Sequence, residues 1–495
     1  MIKNIYRHFS NIRTQTNAAS AASSAAALAD HSTMRLFLAV LAATLSPSAS
    51  SLTCDPLAHG AVGNGAVFDT DAVRAAVAEC GAAGGGTVLF AAGYTFLTGA
   101  INVSSNTRLQ VEGTLLASPN STGYTLVDFL PWFGPNPPQS LAAGGVEVDD
   151  AREWQPFIST WHASNVSIFG GGVIDGNGAA WWRCAGNMSL APCNGHARPH
   201  GIRFVYGVGF EITGVTIKDS PMWQVHPAFV SDVWIHDVTI LAPDSMDKIG
   251  PSHNTDGIDP DCAENVLIER VYISTGDDNI AIKSGRNWFG RTFGRPSRNI
   301  TVRDCVFGAG HGMSIGSEMS GGVYDVRFEN ISGVGMGTGI RIKSERGRGG
   351  LIANVSYANI RLASTAGQAV QFVSGREGAM RCSCAEPPPP SNLTTPPPRR
   401  TRHPTPQTLN YDSGLPPTNV TATPSLFNVT VDGLVSAGSK SGWLIDGLPE
   451  SPLAQLTFRN VSIGGVPDKD YIVKCDYVQA SVCDGVSPSC PPCIA

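Results

Sequence analysis

The chain has 495 residues and a formal net charge of −6, with 42% hydrophobic and 15% charged residues. This balance is typical of a folded protein and gives no reason to expect a nucleic-acid partner. The 55 glycines are spread along the chain, which favours a fold with many tight turns.

The first 50 residues resemble targeting sequence. Residues 34–50, MRLFLAVLAATLSPSAS, combine a basic start, an apolar run and small residues, which is typical of a secretory signal peptide. We therefore expect translation to start at Met34, with 1–33 a dispensable leader or a gene-model artefact; a Ser-rich transit leader is the alternative. No other apolar run is long enough to span a bilayer. The sequence thus predicts a secreted protein without membrane association after signal removal.

Cysteines and sequons agree with a secretory route. Twelve cysteines in a secreted chain indicate disulfides. Their spacing predicts the bonds Cys54–Cys80 and Cys184–Cys193, and further bonding within the tail. The tail cysteines are Cys475, Cys483, Cys490 and Cys493. Many Asn-x-Ser/Thr sequons stand at predicted strand starts, so a purely structural turn role for these asparagines is also open.

The chain after the leader begins with a predicted turn and a short capping helix within 55–80. Asp69 or Thr70 is expected to cap this helix. Its predicted apolar face consists of Ala72, Val73, Ala76 and Val77. Residues 84–118 indicate short strands separated by Gly and Ser/Asn turns, and 119–160 are expected to form a long loop or lid.

From residue 161 a pattern of turn, strand, corner and strand recurs, as in ENVLIERVYI and RNITVRDCVF. A second set of short apolar segments lies between these units, mostly 20–35 residues apart. These segments are IRF (202–204), WQV (223–225), GID (257–259), NIAI (279–282), MSI (313–315), IRI (340–342), VQF (370–372) and WLI (443–445). Such repetition without intervening helices predicts a stacked solenoid of strands, an all-β parallel β-helix. A sandwich or propeller is disfavoured because two-residue hairpin turns are few.

We expect residues 51–495 to form one β-helix catalytic domain with two additions. A proline-rich insertion at 382–424 cannot join the strand ladder. A cysteine-rich tail at 474–495 is expected to cover the end of the solenoid.

Polar residues of several chemical types fall on successive predicted coils. Asp256 is followed by Asp277 and Asp278, then by His311, and then by a pair of cations, Arg341 and Lys343. Crowded acids hold different proton states, which general acid/base hydrolysis requires. Two cations on one strand face favour an anionic ligand, and Gly310 and Gly312 leave room beside the histidine.

Each of these motifs has an ordinary structural explanation when taken alone. Asp256 suits a turn, Asp277-Asp278 a solvated corner, Gly-His-Gly a turn, and Arg-Ile-Lys an exposed strand. Their common position on neighbouring coils favours a single site.

NTDGID, GDDNIAIKSG, GHG and RIK, in this order and on this repeat, resemble the four signatures of the polygalacturonases, glycoside hydrolase family 28. The resemblance covers about 55–475, including GGGTVLFAAG and VIDGNGAAWW. It implies a right-handed β-helix and inverting hydrolysis of α-1,4 bonds between galacturonic acids of pectin, without a metal or other cofactor. The predicted partner is thus an acidic polysaccharide such as polygalacturonate, bound by a monomer.

The resemblance also implies a role for each motif residue. Asp277 would be the general acid, Asp256 and Asp278 would hold and activate water, and His311 would tune or orient the acid. The remaining residues would bind the substrate. These are Arg341, Lys343, Asn254 and Lys283.

Several questions stay open at the sequence level. GSEMSGG (316–322) is similar to exo-acting and plant-like branches, which favours exo or mixed action. The negative net charge requires a local cationic cluster for a polyanionic substrate, in which Lys283, Arg286 and Arg346 could join the Arg-Lys pair. The alternatives are a related uronan substrate, such as xylogalacturonan or rhamnogalacturonan, and a carbohydrate-binding β-helix without catalysis. Paired acids disfavour a calcium-dependent lyase.

Overall fold

A computed structural model describes residues 52–134, 152–185, 187–243, 252–374 and 422–494. The predicted leader and signal peptide, and most of the 382–424 insertion, lie outside the described residues. The described residues form a long stack of parallel strands belonging to the unit Ala49–Ala495. The predicted parallel β-helix is confirmed.

Short strands separated by turns run through the whole unit. The first are β1 (Thr53–Cys54), β2 (Asn64–Phe68), β3 (Gly86–Phe90), β4 (Thr95–Thr98), β5 (Ile101–Asn102), β6 (Thr107–Val111), β7 (Thr114–Ala117), β8 (Leu126–Asp128) and β9 (Arg152–Trp154). The central ones are β10 (Ile158–Trp161), β11 (Ser164–Phe169), β12 (Val173–Asp175), β13 (Ile202–Thr213), β14 (Thr216–Lys218), β15 (Val225–His236), β16 (Thr239–Leu241), β17 (Glu264–Glu269), β18 (Tyr272–Ser274), β19 (Ile280–Ile282), β20 (Ser297–Arg303), β21 (Val306–Phe307) and β22 (Met313–Ile315). The last are β23 (Val323–Val334), β24 (Ile340–Lys343), β25 (Leu351–Ala363), β26 (Gln368–Val373), β27 (Ser425–Ala437), β28 (Ser441–Asp446), β29 (Leu453–Gly464), β30 (Ile472–Asp476), β31 (Val478–Gln479) and β32 (Val482–Ser487).

Within the described ranges, four α-helical segments accompany the strands: α1 (Thr70–Ala82), α2 (Ala179–Trp182), α3 (Asn287–Phe293) and α4 (Asp468–Tyr471). Helix α1 buries Val73, Ala76, Val77 and Cys80 against the first coils, as a capping helix should. Asp69 stands at its N-cap position, as expected, but its side chain makes no capping hydrogen bond to this helix. The Asp69 carboxylate instead accepts hydrogen bonds from the backbone of Val62 and Gly63.

Parallel pairing keeps equivalent residues of successive coils in line. Strands β19, β22, β24, β26, β28 and β30 form one six-stranded sheet. Inward-facing Ile280, Met313, Ile340, Val370 and Trp443 are paired in sequence along it and are completely buried. The core is therefore a stack of apolar side chains, each resting on the equivalent residue of the next coil. The segment GID contributes only isolated bridges through Ile258 instead of a strand.

Asparagines turn many of the corners between strands. Asn299 and Asn428 both adopt a left-handed backbone, with φ of 54° and 54°. The Asn299 amide donates to Asn265 Oδ1 at 2.8 Å, and the Asn428 amide donates to Asn354 Oδ1 at 2.9 Å. These sequon asparagines therefore have the structural turn role that the sequence left open.

The two expected additions lie between paired strands and at the end of the stack. Val370 of β26 pairs directly with Trp443 of β28, so the coils on either side of the insertion stay in register. In the tail, β30 pairs with β28, and β31 and β32 pair with β29. The tail thus adds a last coil to the solenoid.

Four disulfides join described cysteines. Cys54–Cys80 and Cys184–Cys193 are confirmed. The tail contains Cys475–Cys493 and Cys483–Cys490, as expected of its cysteine spacing.

The expected loop at 119–160 is only partly correct. Strand β10 belongs to a coil and pairs with both β5 and β13, while β8 and β9 form an antiparallel ribbon outside the stack. Alternation alone could not reveal so short a strand as β10 next to irregular sequence. Within the described ranges, no helix has the length and apolar character needed to cross a membrane.

Candidate active site

The acids and the histidine come together because equivalent positions of parallel coils lie side by side. Ile258 bridges to Ile280, which pairs with Met313, so the residues two positions earlier also lie in line. Those residues are Asp256, Asp278 and His311, spaced by about 4.8 Å per strand step. The structure therefore brings the predicted motifs onto one face of the solenoid.

Asp278 lies at the centre of this face and is fully buried. Its Oδ2 accepts a hydrogen bond from Lys343 Nζ at 2.9 Å, and its Oδ1 accepts from Arg341 Nη1 at 3.1 Å and from Ser314 Oγ at 2.8 Å. Burial raises the pKa of Asp278, but Lys343 and Arg341 outweigh burial and hold the pKa well below its ordinary value. Asp278 is therefore a carboxylate.

The two cations, which the sequence predicted to favour an anionic ligand, already have an anionic partner within the chain. Arg341 and Lys343 both form ion pairs with Asp278. The sequence did not reveal this partner because Asp278 lies 63 residues before Arg341 and 65 residues before Lys343. A substrate carboxylate at this position would share cations that Asp278 already holds in place.

Asp277 and His311 form the second contact of the site. His311 Nδ1 lies 3.1 Å from Asp277 Oδ1, and the Asn254 backbone N–H donates to Asp277 Oδ2 at 3.2 Å. Burial raises the pKa of Asp277, while the hydrogen bond and charge of His311 lower it further than burial raises it. Burial lowers the pKa of His311, but its bonds to Asp277 and Asp278 raise it to about 9. Below that pH the Asp277–His311 pair holds one proton between its two members.

Asp256 has the opposite electrostatic environment to Asp278. Burial, followed by the charge of Asp277, raises its pKa well above the ordinary value. Among the described residues, Lys283 forms an ion pair with it, with Nζ 3.9 Å from Asp256 Oδ2. Neighbouring carboxyls on one face are thus driven towards different proton states, which is the arrangement general acid/base chemistry needs.

Asn254 and Lys283 lie at the N-terminal side of the acids. The Asn254 side-chain amide is 3.5 Å from Asp277 Oδ2, and Arg198 Nη2 donates to Asn254 Oδ1 at 2.7 Å. Lys283 Nζ donates to Glu318 Oε2 at 3.0 Å and lies 4.5 Å above the Trp223 ring. Both residues are therefore held by neighbours that the sequence reasoning did not assign to the site.

The other expected cations lie in different places. Arg286 lines a pocket beside the acids. Arg346 forms an ion pair with the exposed Glu450, so its charge is shared with a surface acid.

Asp277, Asp278 and His311 offer oxygen and nitrogen atoms that lie within 4.8 Å of one another. Such spacing can suit a cation, but the Asp278 carboxylate is already neutralised by Arg341 and Lys343. Ion pairing explains the cluster without a metal.

A pocket of about 180 Å³ adjoins the acids on the N-terminal side. Its polar lining includes Arg198, His200, Arg203, His226, Glu153 and Glu318. Sequence reasoning missed Arg198 and Arg203, because each stands in a turn or strand without a motif around it. Glu318 lies within GSEMSGG, so the sequence did offer a motif from which Glu318 could have been assigned to the site.

The segment 129–134 forms one wall of this pocket. Trp132 is completely buried against Val205, Ala228 and Cys262, and its indole N–H donates to Asp261 Oδ2 at 2.5 Å. Val205 pairs with Ala228, Ala228 bridges to Asp261, and Asp261 bridges to Lys283. Val205, Ala228 and Asp261 therefore occupy equivalent positions of successive coils, and Lys283 occupies the same position on the next coil. The segment 129–134 covers this row of positions on the N-terminal side of the acids.

A sequence profile described as "Glycosyl hydrolases family 28" matches residues 84–372 of this chain. The chain is 34% identical over 303 residues to a "Probable polygalacturonase" of Vitis vinifera, with 60% of this chain and 58% of the relative covered. It is 31% identical over 303 residues to an "Endo-polygalacturonase" of Pectobacterium carotovorum subsp. carotovorum, covering 59% of this chain and 68% of that protein. The match thus spans little more than half of the Vitis protein.

Solved structures share the fold. A hyperthermoactive exopolygalacturonase from Thermotoga maritima aligns with a TM-score of 0.69 and 24% identity, covering 90% of this chain and 96% of that chain. A family 28 exopolygalacturonase from Yersinia enterocolitica aligns with a TM-score of 0.66 and 18% identity, covering 90% and 77%. The profile covers more than half of the chain and includes every motif residue named above. This protein therefore belongs to glycoside hydrolase family 28.

Proposed function

We propose that this hydrolase cleaves α-1,4-galacturonosidic bonds of pectin or polygalacturonate with inversion at the anomeric carbon. The observation that carries the proposal is the row of three acids beside Arg341 and Lys343. Acids in different proton states supply the proton transfers, and the cations supply affinity for an acidic sugar.

Asp277 acts as the general acid, with its proton drawn from the Asp277–His311 pair. The proton passes to the glycosidic oxygen as the bond from this oxygen to the anomeric carbon breaks. A water molecule attacks that carbon from the opposite face, and Asp256, with Asp278, orients the water and accepts its proton. The products are one new reducing end and one new hydroxyl, so atoms and charge balance.

Arg341, Lys343 and Lys283 bind sugar carboxylates beside the scissile bond, and Asn254 aligns the acid. Asp278 holds Arg341 and Lys343 in place before the substrate binds. Substrate binding therefore costs little side-chain entropy at these two residues. Affinity for a polyanion therefore comes from this local cluster in spite of the negative net charge.

Exo action is the second part of the proposal. The segment 129–134 lies across the outward-facing row on the N-terminal side of the acids, which favours a cleft that is closed at that end. Such a cleft accepts the end of a polysaccharide chain, whereas cleavage in the middle of a polysaccharide chain requires a cleft that is open at both ends. Secretion completes the proposal and is supported by the disulfides; a monomer is proposed as the acting form.

The test is digestion of polygalacturonate followed by sizing of the products and NMR of the new anomeric centre. We expect short products from the first minutes, with the β-anomer appearing first. Early release of a broad range of oligomers contradicts exo action alone, and an initial α-anomer contradicts inversion.

A further inference from the structure

Glu318, within the GSEMSGG segment, is joined to Asp256 through a single lysine. Its Oε2 accepts from Lys283 Nζ at 3.0 Å, and the same Nζ lies 3.9 Å from Asp256 Oδ2. One ammonium group is therefore shared between two carboxylates. It is closer to Glu318, which is not one of the motif acids.

Glu318 is itself fixed on its other oxygen. Ser317 Oγ donates to Glu318 Oε1 at 2.9 Å, and Arg348 Nη2 lies 3.5 Å from the same atom. Burial raises the pKa of Glu318, but Lys283 and Arg348 hold it well below its ordinary value. Glu318 is thus a carboxylate with one defined orientation, although it also lines the pocket beside the acids.

Lys283 is held by the Trp223 ring as well as by Glu318. Its Nζ lies 4.5 Å from the ring centroid, and the side chain is almost completely buried. The ring and Glu318 together keep the ammonium group beyond hydrogen-bond distance of Asp256. Asp256 Oδ1 has no hydrogen-bond partner among the described residues.

We propose that Glu318 is a positioning residue that holds Lys283 away from Asp256 and so sets the pH at which Asp256 becomes a base. This inference rests on the proposed function and goes beyond it, since Glu318 lies outside the four signature motifs and is linked to Asp256 through Lys283.

The charged groups that face Asp256 all enter this balance. They are Asp277, Asp278, Asp259, Lys283, Lys343 and Arg198. Of these groups, Lys283 is the cation that forms an ion pair with Asp256, at 3.9 Å. A closer or less neutralised ammonium group stabilises the Asp256 carboxylate and lowers the pH at which this acid ionises.

The test compares the pH dependence of kcat/KM on polygalacturonate for the wild type and Glu318→Gln, which keeps shape and removes charge. We expect the acid limb of the variant to move down by about one pH unit, because Lys283 is freed towards Asp256 and a nearby negative charge is lost. The basic limb should stay in place. Glu345→Gln is the matched control, since it removes a buried carboxylate that lies 3.3 Å from Arg348, the other cation beside Glu318.

The route through Lys283 has its own test. In a Lys283→Met background, which lowers activity overall, Glu318→Gln should shift the acid limb by less than half as much. Thermal unfolding checks that each variant is folded.

An unchanged acid limb in folded Glu318→Gln overturns the inference, as does an equal shift in Glu345→Gln or an undiminished shift without Lys283. If the wild type does not hydrolyse polygalacturonate, the proposed function fails instead, and that result is seen before any variant is made.

Discussion

At the scale of single residues, the site is governed by how each carboxyl is paired. Asp278 has two cations and a hydroxyl, Asp277 has an imidazole, and Asp256 has one distant ammonium group. Three chemically identical side chains therefore differ in proton affinity because their neighbours differ. The proposed function assigns the proton donor to the Asp277–His311 pair and the handling of water to Asp256 and Asp278.

The pH dependence of kcat/KM should be bell-shaped. Activity rises as Asp256 loses its proton, above the ordinary range for an aspartate because its pKa is raised. It falls as the Asp277–His311 pair loses its proton near pH 9, because the pKa of His311 is raised to about 9. His311→Gln should move the basic limb to lower pH, since the acid then holds its proton alone. A basic limb that stays unchanged in this variant contradicts the pairing.

Lys343→Met should affect both substrate binding and stability. We expect KM for polygalacturonate to rise about tenfold and the free energy of unfolding to fall by about 1–3 kcal/mol, because buried Asp278 loses one charged partner. Kinetics and denaturant unfolding measure the two effects. Lys474→Met, which removes a half-exposed ion pair with Asp446, is the control and should cost less than about 1 kcal/mol. Equal effects of the two variants would argue against a special role for the buried pair.

At the scale of elements, the segment 129–134 forms one wall of the pocket beside the acids. It is held by the burial of Trp132 and by backbone contacts, including the Arg286 N–H that donates to the Trp132 carbonyl at 2.9 Å. No regular secondary structure stabilises it, so its position depends on this one side chain more than on hydrogen-bonded repeats.

Trp132→Ala should therefore detach the segment and open the N-terminal end of the cleft. Removing a fully buried tryptophan costs about 3–5 kcal/mol locally. We expect longer oligomers among the early products of polygalacturonate digestion, measured by chromatography. Trp161→Ala, at a tryptophan that is 54% exposed, is the control and should leave product sizes unchanged. Unaltered products from folded Trp132→Ala would refute the closed cleft.

At the scale of the whole molecule, the ladder continues across the proline-rich insertion. Strand β25 pairs with β27, and β26 pairs with β28, although the insertion separates the members of each pair. Replacing 382–418 with a short Gly-Ser linker should leave activity within about twofold and the melting temperature nearly unchanged, because loop closure depends weakly on length. Thermal unfolding and the reducing-sugar assay test this prediction. Loss of the folded state would show that the insertion supports the coils.

The fold was largely predictable because the repeat determines it. Inward-facing Ile280, Met313 and Ile340 recur at steps of 33 and 27 residues, and repetition in this range predicts a solenoid without knowledge of long-range contacts. The motif residues were predictable for the same reason, since residues at equivalent positions of successive coils become neighbours.

Contacts made by irregular segments could not be predicted in the same way. Trp132 covers a row of coil residues, and Arg198 binds Asn254, but neither residue has a periodic position. Glu318 lies in GSEMSGG, a segment that the sequence singled out. Its hydrogen bond with Lys283 depends on the geometry of a turn, and this geometry cannot be predicted from residue spacing. The sequence did not predict the ion pairs of Arg341 and Lys343 with Asp278. A strand pattern shows on which face a side chain lies, but it does not show which residue that side chain contacts.

The most direct test of the central claim is the rate at which reducing ends are released from polygalacturonate by the wild type and by Asp277→Asn. The asparagine keeps the shape of the side chain but cannot deliver the proton, so we expect a loss of at least about 100-fold with an unchanged melting temperature. A folded Asp277→Asn variant that hydrolyses the polymer at the wild-type rate would contradict the account.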